Sequence, residues 1–232
     1  TYEAIPVYTL TFVADEATVS TATLYEGDAI IAPEAPAKEG YTFAGWDNEL
    51  ASTMPATDLT YDATWTANTD TEFTVEHYYQ NANDDGYTKV ETETKYGTTG
   101  ATVNGIDYKK ALAEAIFERT ENAVISADGS TVIKVYYVRT THKITFTYGD
   151  KVGENAEYTL RYGQNISYNP SFSVVGYVFA GWDAEIPATM PAENVTINAT
   201  WTSGNVQFTV EHYYQNVNDD GYEKVDTETK YG

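Results

Sequence analysis

The chain has 232 residues, 35 of them acidic and 13 basic, for a formal net charge of −22. That charge repels phosphate backbones, which excludes nucleic acid and anionic membrane surfaces as partners. With 42% hydrophobic residues, 21 tyrosines and no cysteine, the sequence is globular and forms neither disulfides nor thiolate metal sites. No apolar run approaches the 18 or so residues of a membrane-spanning helix, so no membrane insertion is expected, and no leader or sorting signal is visible.

In chain order, period-two patterning predicts strands at Tyr8–Val13, Thr18–Tyr25, Tyr41–Trp46 and Leu59–Trp65, with Pro33, Pro36 and Gly40 breaking the middle. The connection from Gly27 to Gly40 has room for one short helical turn. Next, Phe73, Val75, His77 and Tyr79 alternate with Thr74, Glu76, Tyr78 and Gln80, the pattern of a strand with one buried face. Residues 81–86 (NANDDG) favour a turn, and Tyr87–Tyr96 returns as its hairpin partner. Asp107 is a suitable N-cap for a helix over 108–119, in which Ala111, Leu112, Ala115 and Ile116 share a face with Tyr108. After the Asp128-Gly129 turn, Thr131–Val138 is rich in β-branched and aromatic residues and reads as a strand. Further strands follow at Lys143–Tyr148, Ala156–Arg161, Tyr177–Trp182 and Val195–Trp201.

Two segments are written twice. Residues 72–97 and 207–232 agree at 22 of 26 positions, and residues 41–66 and 177–202 at 16 of 26. The chain is therefore expected to alternate two modules: A at 1–68, B at 69–140 with its helix near 108–119, A again at 141–204, and the opening of a second B at 205–232. Because Gly232 aligns with Gly97, the chain reads as a piece of a longer array. The predicted fold class is α+β, predominantly β, an elongated tandem array of small modules.

The A modules share a T-F strand (Thr11-Phe12, Thr145-Phe146), a G-Y-x-F-A-G-W block (Gly40–Trp46, Gly176–Trp182), a T-M-P-A turn and a closing A-T-W. This pattern resembles the Listeria-Bacteroides repeat, the family that includes the B-repeat of internalin B. The F-T-V-E-H-Y-Y-Q-N opening of B, its T-E-T-K-Y-G-T-T-G block and Val135-Tyr-Tyr resemble mucin-binding-protein-like repeats. The resemblance implies β-grasp-like modules in the stalks and adhesins of bacterial, usually Gram-positive, cell-surface proteins.

Few residues suggest chemistry. Trp46, Trp65, Trp182 and Trp201 sit at strand ends and are expected to be structural anchors rather than sugar platforms. In the twin-tyrosine pairs, alternation forces one ring outward, which makes Tyr78, Tyr136 and Tyr213 the candidate ligand-binding residues. The acidic turn places Asn81, Asn83 and Asp85, repeated as Asn216, Asn218 and Asp220, at spacings partly like a calcium loop. Position 12, however, is Thr92 or Thr227 where a glutamate is needed, so weak calcium association is the most expected and no cofactor is assigned. His77, His142 and His212 show no recognisable nucleophile motif beside them, which excludes no fold but gives no enzyme. Lys134 is the one lysine inside an apolar strand, the position an isopeptide cross-link would need.

The sequence thus points to a noncatalytic, monomeric, extracellular stalk or spacer, attached to the cell wall through regions outside residues 1–232. The alternative is a set of adhesive modules that bind mucin, glycan or host glycoprotein through exposed tyrosines, with repetition supplying avidity.

Overall fold

The computed structural model describes residues 3–232. The first sheet contains β1 (Val7–Ala14), β2 (Ala17–Tyr25), β3 (Tyr41–Trp46) and β4 (Leu59–Ala67), in the order β2-β1-β4-β3. Asp15 and Glu16 join β1 to β2 with φ of 48° and 67°, the left-handed pair that a two-residue hairpin requires. β1 and β4 run parallel, with Leu10 opposite Leu59 and Phe12 opposite Tyr61. Alternation then turns Leu10, Phe12 and Tyr61 to one side, where they close on Met54.

The second sheet uses β5 (Thr71–Gln80), β6 (Tyr87–Gly97), β8 (Ala115–Thr120) and β10 (Val132–Arg139), in the order β6-β5-β10-β8. The short β7 (Thr102–Val103) and β9 (Ala123–Val124) pair separately. Again the first and last long strands, β5 and β10, are parallel neighbours at the centre. The third sheet, from β11 (Thr141–Thr147), β12 (Ala156–Arg161), β13 (Tyr177–Trp182) and β14 (Val195–Ser203), repeats the order as β12-β11-β14-β13, with β11 parallel to β14. Its core is Ile144, Phe146, Tyr148, Met190 and Ile197. A hairpin of β15 (Gln207–Gln215) and β16 (Tyr222–Tyr231) completes the chain.

All three four-stranded sheets therefore share the β-grasp strand order, and no α-helix among the described residues packs across any of them. The protein is predominantly β, as the sequence indicates, and the helical part of the expectation is met among the described residues only by a 3-10 turn. The helix expected over 108–119 is replaced by a 3-10 turn at Gly105–Tyr108 and by strand β8. Tertiary bonding overrides the helical periodicity. The Lys110 N–H donates to the Tyr137 hydroxyl at 2.8 Å instead of to a preceding carbonyl. Beyond it, Ala115 is buried and the Phe117 ring meets Tyr137 edge-on at 6.5 Å, so residues 115–120 alternate against β10. Nor is there a helical turn between Gly27 and Gly40, where an isolated bridge joins Ala29 to Thr53.

The chain divides into two compact units, and the boundary runs through the first B segment. The first unit comprises the residues up to Tyr79 with Tyr87–Ala111 and Phe117–Tyr137; the second comprises Gln80–Gly86, Leu112–Ile116 and Val138–Gly232. Inside the first unit the A and B segments are stitched together at Asn68. Its N–H reaches the Gly40 carbonyl, its carbonyl accepts from the Thr99 N–H, both at 2.9 Å, and its side chain accepts from the Thr42 hydroxyl. The buried hydroxyls of Thr71 and Thr99 meet at 2.6 Å beside this stitch. Gly40, at φ 73°, lies so close that an added Cβ would stand 2.7 Å from the Ala127 Cβ. Asn68, between β4 and β5, is thus fixed in place.

Gly40→Ala should lower the stability of the first unit by about 2–4 kcal/mol, combining backbone strain with overpacking. Gly27→Ala, also at positive φ but with nothing within 4 Å of the new methyl, should show the strain alone, about 1 kcal/mol. Urea midpoints of the two variants test this, and equal losses would remove the seam from the explanation.

Candidate functional site

The outer face of the second sheet draws one residue from each of its four strands. Parallel pairing places Tyr78 of β5 directly beside Tyr136 of β10, and their rings stack with centroids 5.1 Å apart. Tyr87 of β6 meets Tyr136 edge-on at 5.2 Å, and the Arg119 guanidinium of β8 lies 4.1 Å above the Tyr136 ring. The Tyr78 hydroxyl donates to Glu76, which Lys89 also holds at 2.7 Å. That carboxylate acceptor pushes the Tyr78 hydroxyl up to about 12, so it stays protonated at neutral pH. Tyr78 and Tyr136 are half-buried, with much of their ring area spent on each other. In the second copy, Tyr213 is 50% exposed and repeats the local bond by donating to Glu211. Sequence patterning identifies Tyr78 and Tyr136 but misses Tyr87 and Arg119, because Arg119 was assigned to a helix.

The opposite face of the same sheet holds a buried polar network. His77, 1% exposed, places Nδ1 3.1 Å from the Tyr137 hydroxyl, whose oxygen also accepts the Lys110 N–H. The hydroxyl proton then goes to Nδ1, which leaves the imidazole proton on Nε2, 3.3 Å from Glu93 but poorly aligned with it. Burial, followed by the nearby Lys110 ammonium, lowers the His77 pKa and keeps the ring neutral. Hydrogen bonds from the Lys110 and Lys95 ammonium groups bring Glu93 down to about 2. The His77 and Tyr137 rings are sealed in the core, while the charged groups of Glu93, Lys95 and Lys110 reach the surface.

The other histidines make no catalytic relay. Both the Thr140 hydroxyl and the Glu114 carboxylate meet Nε2 of His142, at 3.1 and 3.4 Å, whereas a relay engages the two ring nitrogens separately. His212 gathers with Asp226 and Glu228 in a geometry that would suit a cation, and the trio is exposed or half-buried. In the first copy the same positions are His77, Glu91 and Glu93, and the Lys110 ammonium bonds both carboxylates there. Lys134 is exposed.

The acidic turns are tight hairpin loops. Asp84 accepts from the Asn81 side chain and from the Gly86 N–H, each at 2.7 Å, and Asp219 does the same with Asn216 and Gly221. Within the second unit the oxygens of the first turn face protein groups. The Asn83 side-chain oxygen accepts from the Asn165 N–H at 2.9 Å, the Asp84 carbonyl accepts from Arg161 at 2.7 Å, and Asp85 pairs with Arg161. Asn81 bonds to Asp84 and Gly86 within the loop. Asn218 and Asp220 are exposed in the second turn, and Asn216 is half-buried.

The four tryptophans lie against aromatic neighbours. Trp46 meets Phe12 at 4.7 Å and Phe43 at 5.2 Å, and Trp182 meets Phe146 at 5.2 Å. Trp65 packs edge-on to Phe43, with Lys38 over its ring, and Trp201 packs against Phe172 and Phe179. Only one of the last two indoles finds a carbonyl: Trp201 donates to Tyr148 at 3.2 Å, while the buried Trp65 N–H has no partner. Met54 and Met190, both marked by the repeated T-M-P-A, are core residues that strand patterning does not single out; each is buried at 1% exposure.

Small β-grasp-like sheets recurring along one chain, with a sealed histidine and rings packed on rings, define a tandem repeat protein. The Listeria-Bacteroides repeat domain matches residues 8–78 and 142–208, more than half of the chain, and the chain belongs to that family. Among solved structures it is similar to domains 3–4 of the Streptococcal High Identity Repeats in Tandem from a cell surface protein. The identity there is 15% and the TM-score 0.21, over 57% of this chain and 99% of that one. It is also similar to the Bacillus anthracis TIE protein, at 13% identity and TM-score 0.30, over 84% of this chain and about half (51%) of that one. No curated protein sequence matches it. No helix among the described residues is long and apolar enough to cross a membrane.

His77 makes the stability of the first unit pH-dependent with a definite sign. Its folded pKa lies below the ordinary 6.5, so the unfolded state binds the proton first and stability falls as pH drops through 6.5. Glu93 adds a further loss as pH falls from 4.5 toward about 2. Thermal midpoints at pH 7.5 and 5.5 should therefore separate more in the native chain than in His77→Phe. Parallel pH slopes in the two proteins would mean that His77 is not the titrating group.

Proposed function

We propose that this chain is a noncatalytic repeat region of a bacterial cell-surface protein, and that it works as a stalk or spacer. The observation that carries this reading is the parallel pairing of the first and last strands in each four-stranded sheet. A chain that enters on strand one and leaves on a parallel strand four must exit at the opposite pole of the sheet. Each segment of about nine-residue strands then advances the path by roughly 30 Å. Within the first unit, the fixed stitch at Asn68 leaves little free chain in which that advance would be lost.

In this reading the protein is extracellular and Gram-positive in origin, and it is held to the wall through other regions of its parent. The B segments are repeats of the mucin-binding-protein type, and the protein is monomeric. The adhesive alternative draws on the outer face of Tyr78, Tyr136, Tyr87 and Arg119. There, however, each ring already packs on another ring or a guanidinium, and the Tyr78 and Tyr87 hydroxyls are bonded to Glu76 and Glu118. An aromatic face spent on internal contacts supports the spacer more than the adhesin.

Two measurements test the proposal together. Small-angle scattering should give a radius of gyration well above the roughly 17 Å of a compact globule of this length. Titration against mucin and a glycan panel should give no saturable binding. A globule-like radius sinks the spacer, and saturable binding lost in Tyr136→Ala or Tyr213→Ala replaces it with the adhesin.

A further inference from the structure

The two acidic turns are the same structure in two different states of occupancy. Asn81–Gly86 and Asn216–Gly221 share their internal bonds to Asp84 and Asp219 at the same 2.7 Å. The first turn is contacted by protein groups on one side, although residues 83–86 keep exposed surface. Arg139 donates through Nε to the Gln80 carbonyl at 2.7 Å, Arg161 donates to the Asp84 carbonyl, the Asn165 N–H reaches Asn83, and a Cβ added to Gly163 would stand 3.8 Å from the Ala82 Cβ. The second turn is open. Val217, the counterpart of Ala82, is 98% exposed and lines a concave surface of about 540 Å³ with Tyr214, Asn218 and Asp219.

The second turn has its bonding geometry without any occupant, so occupancy is not what shapes it. The groups that recognise the first turn also differ between the two A-type segments. Register places Tyr25 opposite Val7 where Arg161 stands opposite Thr141. Gly27 and Gly163 then coincide, each donating its N–H to the carbonyl of the buried methionine, Met54 or Met190. Ala29 and Asn165 coincide as well, each in the isolated bridge to a threonine, Thr53 or Thr189. The first A-type segment thus has no guanidinium where the second has Arg161.

We propose that the turn Asn216–Gly221 is a preformed docking site for an A-type repeat domain, and that it selects one carrying an arginine at the Arg161 position. Selection rests on directed hydrogen bonds rather than on net charge. The Asp85 side chain is 92% exposed, and an ion pair in that setting contributes little. The Asp84 carbonyl, in contrast, accepts from a guanidinium placed at the right register, whereas the Asn83 amide oxygen accepts a backbone N–H that any A-type segment supplies. A domain with Tyr at the Arg161 position, like residues 7–67 of this chain, presents no side-chain donor to the Asp219 carbonyl. This inference is independent of the spacer reading, since it concerns which domain can follow which, whatever the array carries.

The absence of cysteine makes the test direct. In the full chain, Ala82→Cys should react with a maleimide at least tenfold more slowly than Val217→Cys, and Arg161→Tyr should remove most of that difference. The full chain is then lengthened after Gly232 by a second copy of its own residues 98–204. Val217→Cys should now be protected at least tenfold. Protection should vanish when the appended copy carries Tyr at its Arg161 position, or when Asn218 and Asp220 are both changed to Ala. Equal labelling of Val217→Cys in the three lengthened chains overturns the proposal.

Discussion

The parallel pairing of first and last strands is the constraint on which the rest depends. Once β1 must lie beside β4, β5 beside β10 and β11 beside β14, the two remaining strands can occupy only the outer positions, and each core forms where alternate residues of the central pair converge. In the A-type sheets the core residues are Leu10 and Phe12 with Tyr61, or Ile144 and Phe146 with Ile197. In the B segment the same positions hold Phe73, Val75 and His77 beside Ile133, Val135 and Tyr137. Unrelated sequences reach one topology because each supplies two strongly alternating strands that bury a single face.

A domain of this size has little apolar area to bury, and methionine and aromatic residues supply much of it. Met54 and Met190 fill each A-type core from the T-M-P-A turn, and their own backbone groups tie that turn to the Gly27 or Gly163 loop. Where a helix would ordinarily cover the sheet, loop backbone and side chains do so. In the third sheet Tyr168 stacks on Phe146 and leans on Trp182, and Phe172 meets Tyr148 edge-on, all from that connection.

Most of this was legible in the sequence, and the exceptions have physical causes. Strand positions followed from alternation, since a half-buried strand writes its face directly into the chain. The 108–119 error arose because Tyr108, Ala111, Leu112, Ala115 and Ile116 also satisfy a helical period, and only the long-range bond from Lys110 to Tyr137 decides between the two. The outer tyrosine pair was visible from parity, but its partners Tyr87 and Arg119 were not, because neighbours across a sheet depend on strand order. The acidic turn looked like a metal loop for a sound reason: its oxygens do converge, and in the first copy they converge on the groups of Arg161 and Asn165. Comparing the two A-type segments at Tyr25 and Arg161 would have exposed the difference, since a repeat changes least where only its own core is at stake.

The parallel central pair also determines how such a domain meets tension. A pull on the two ends of the first A-type segment acts on β1 and β4 in opposite directions along their common axis. The interstrand bonds through Leu10, Thr11, Phe12 and Val13 are then loaded in shear, all at once, and cannot open one after another like a zipper. A string of such domains would behave less like a spring than like a row of latches, each holding until its whole central ladder gives way.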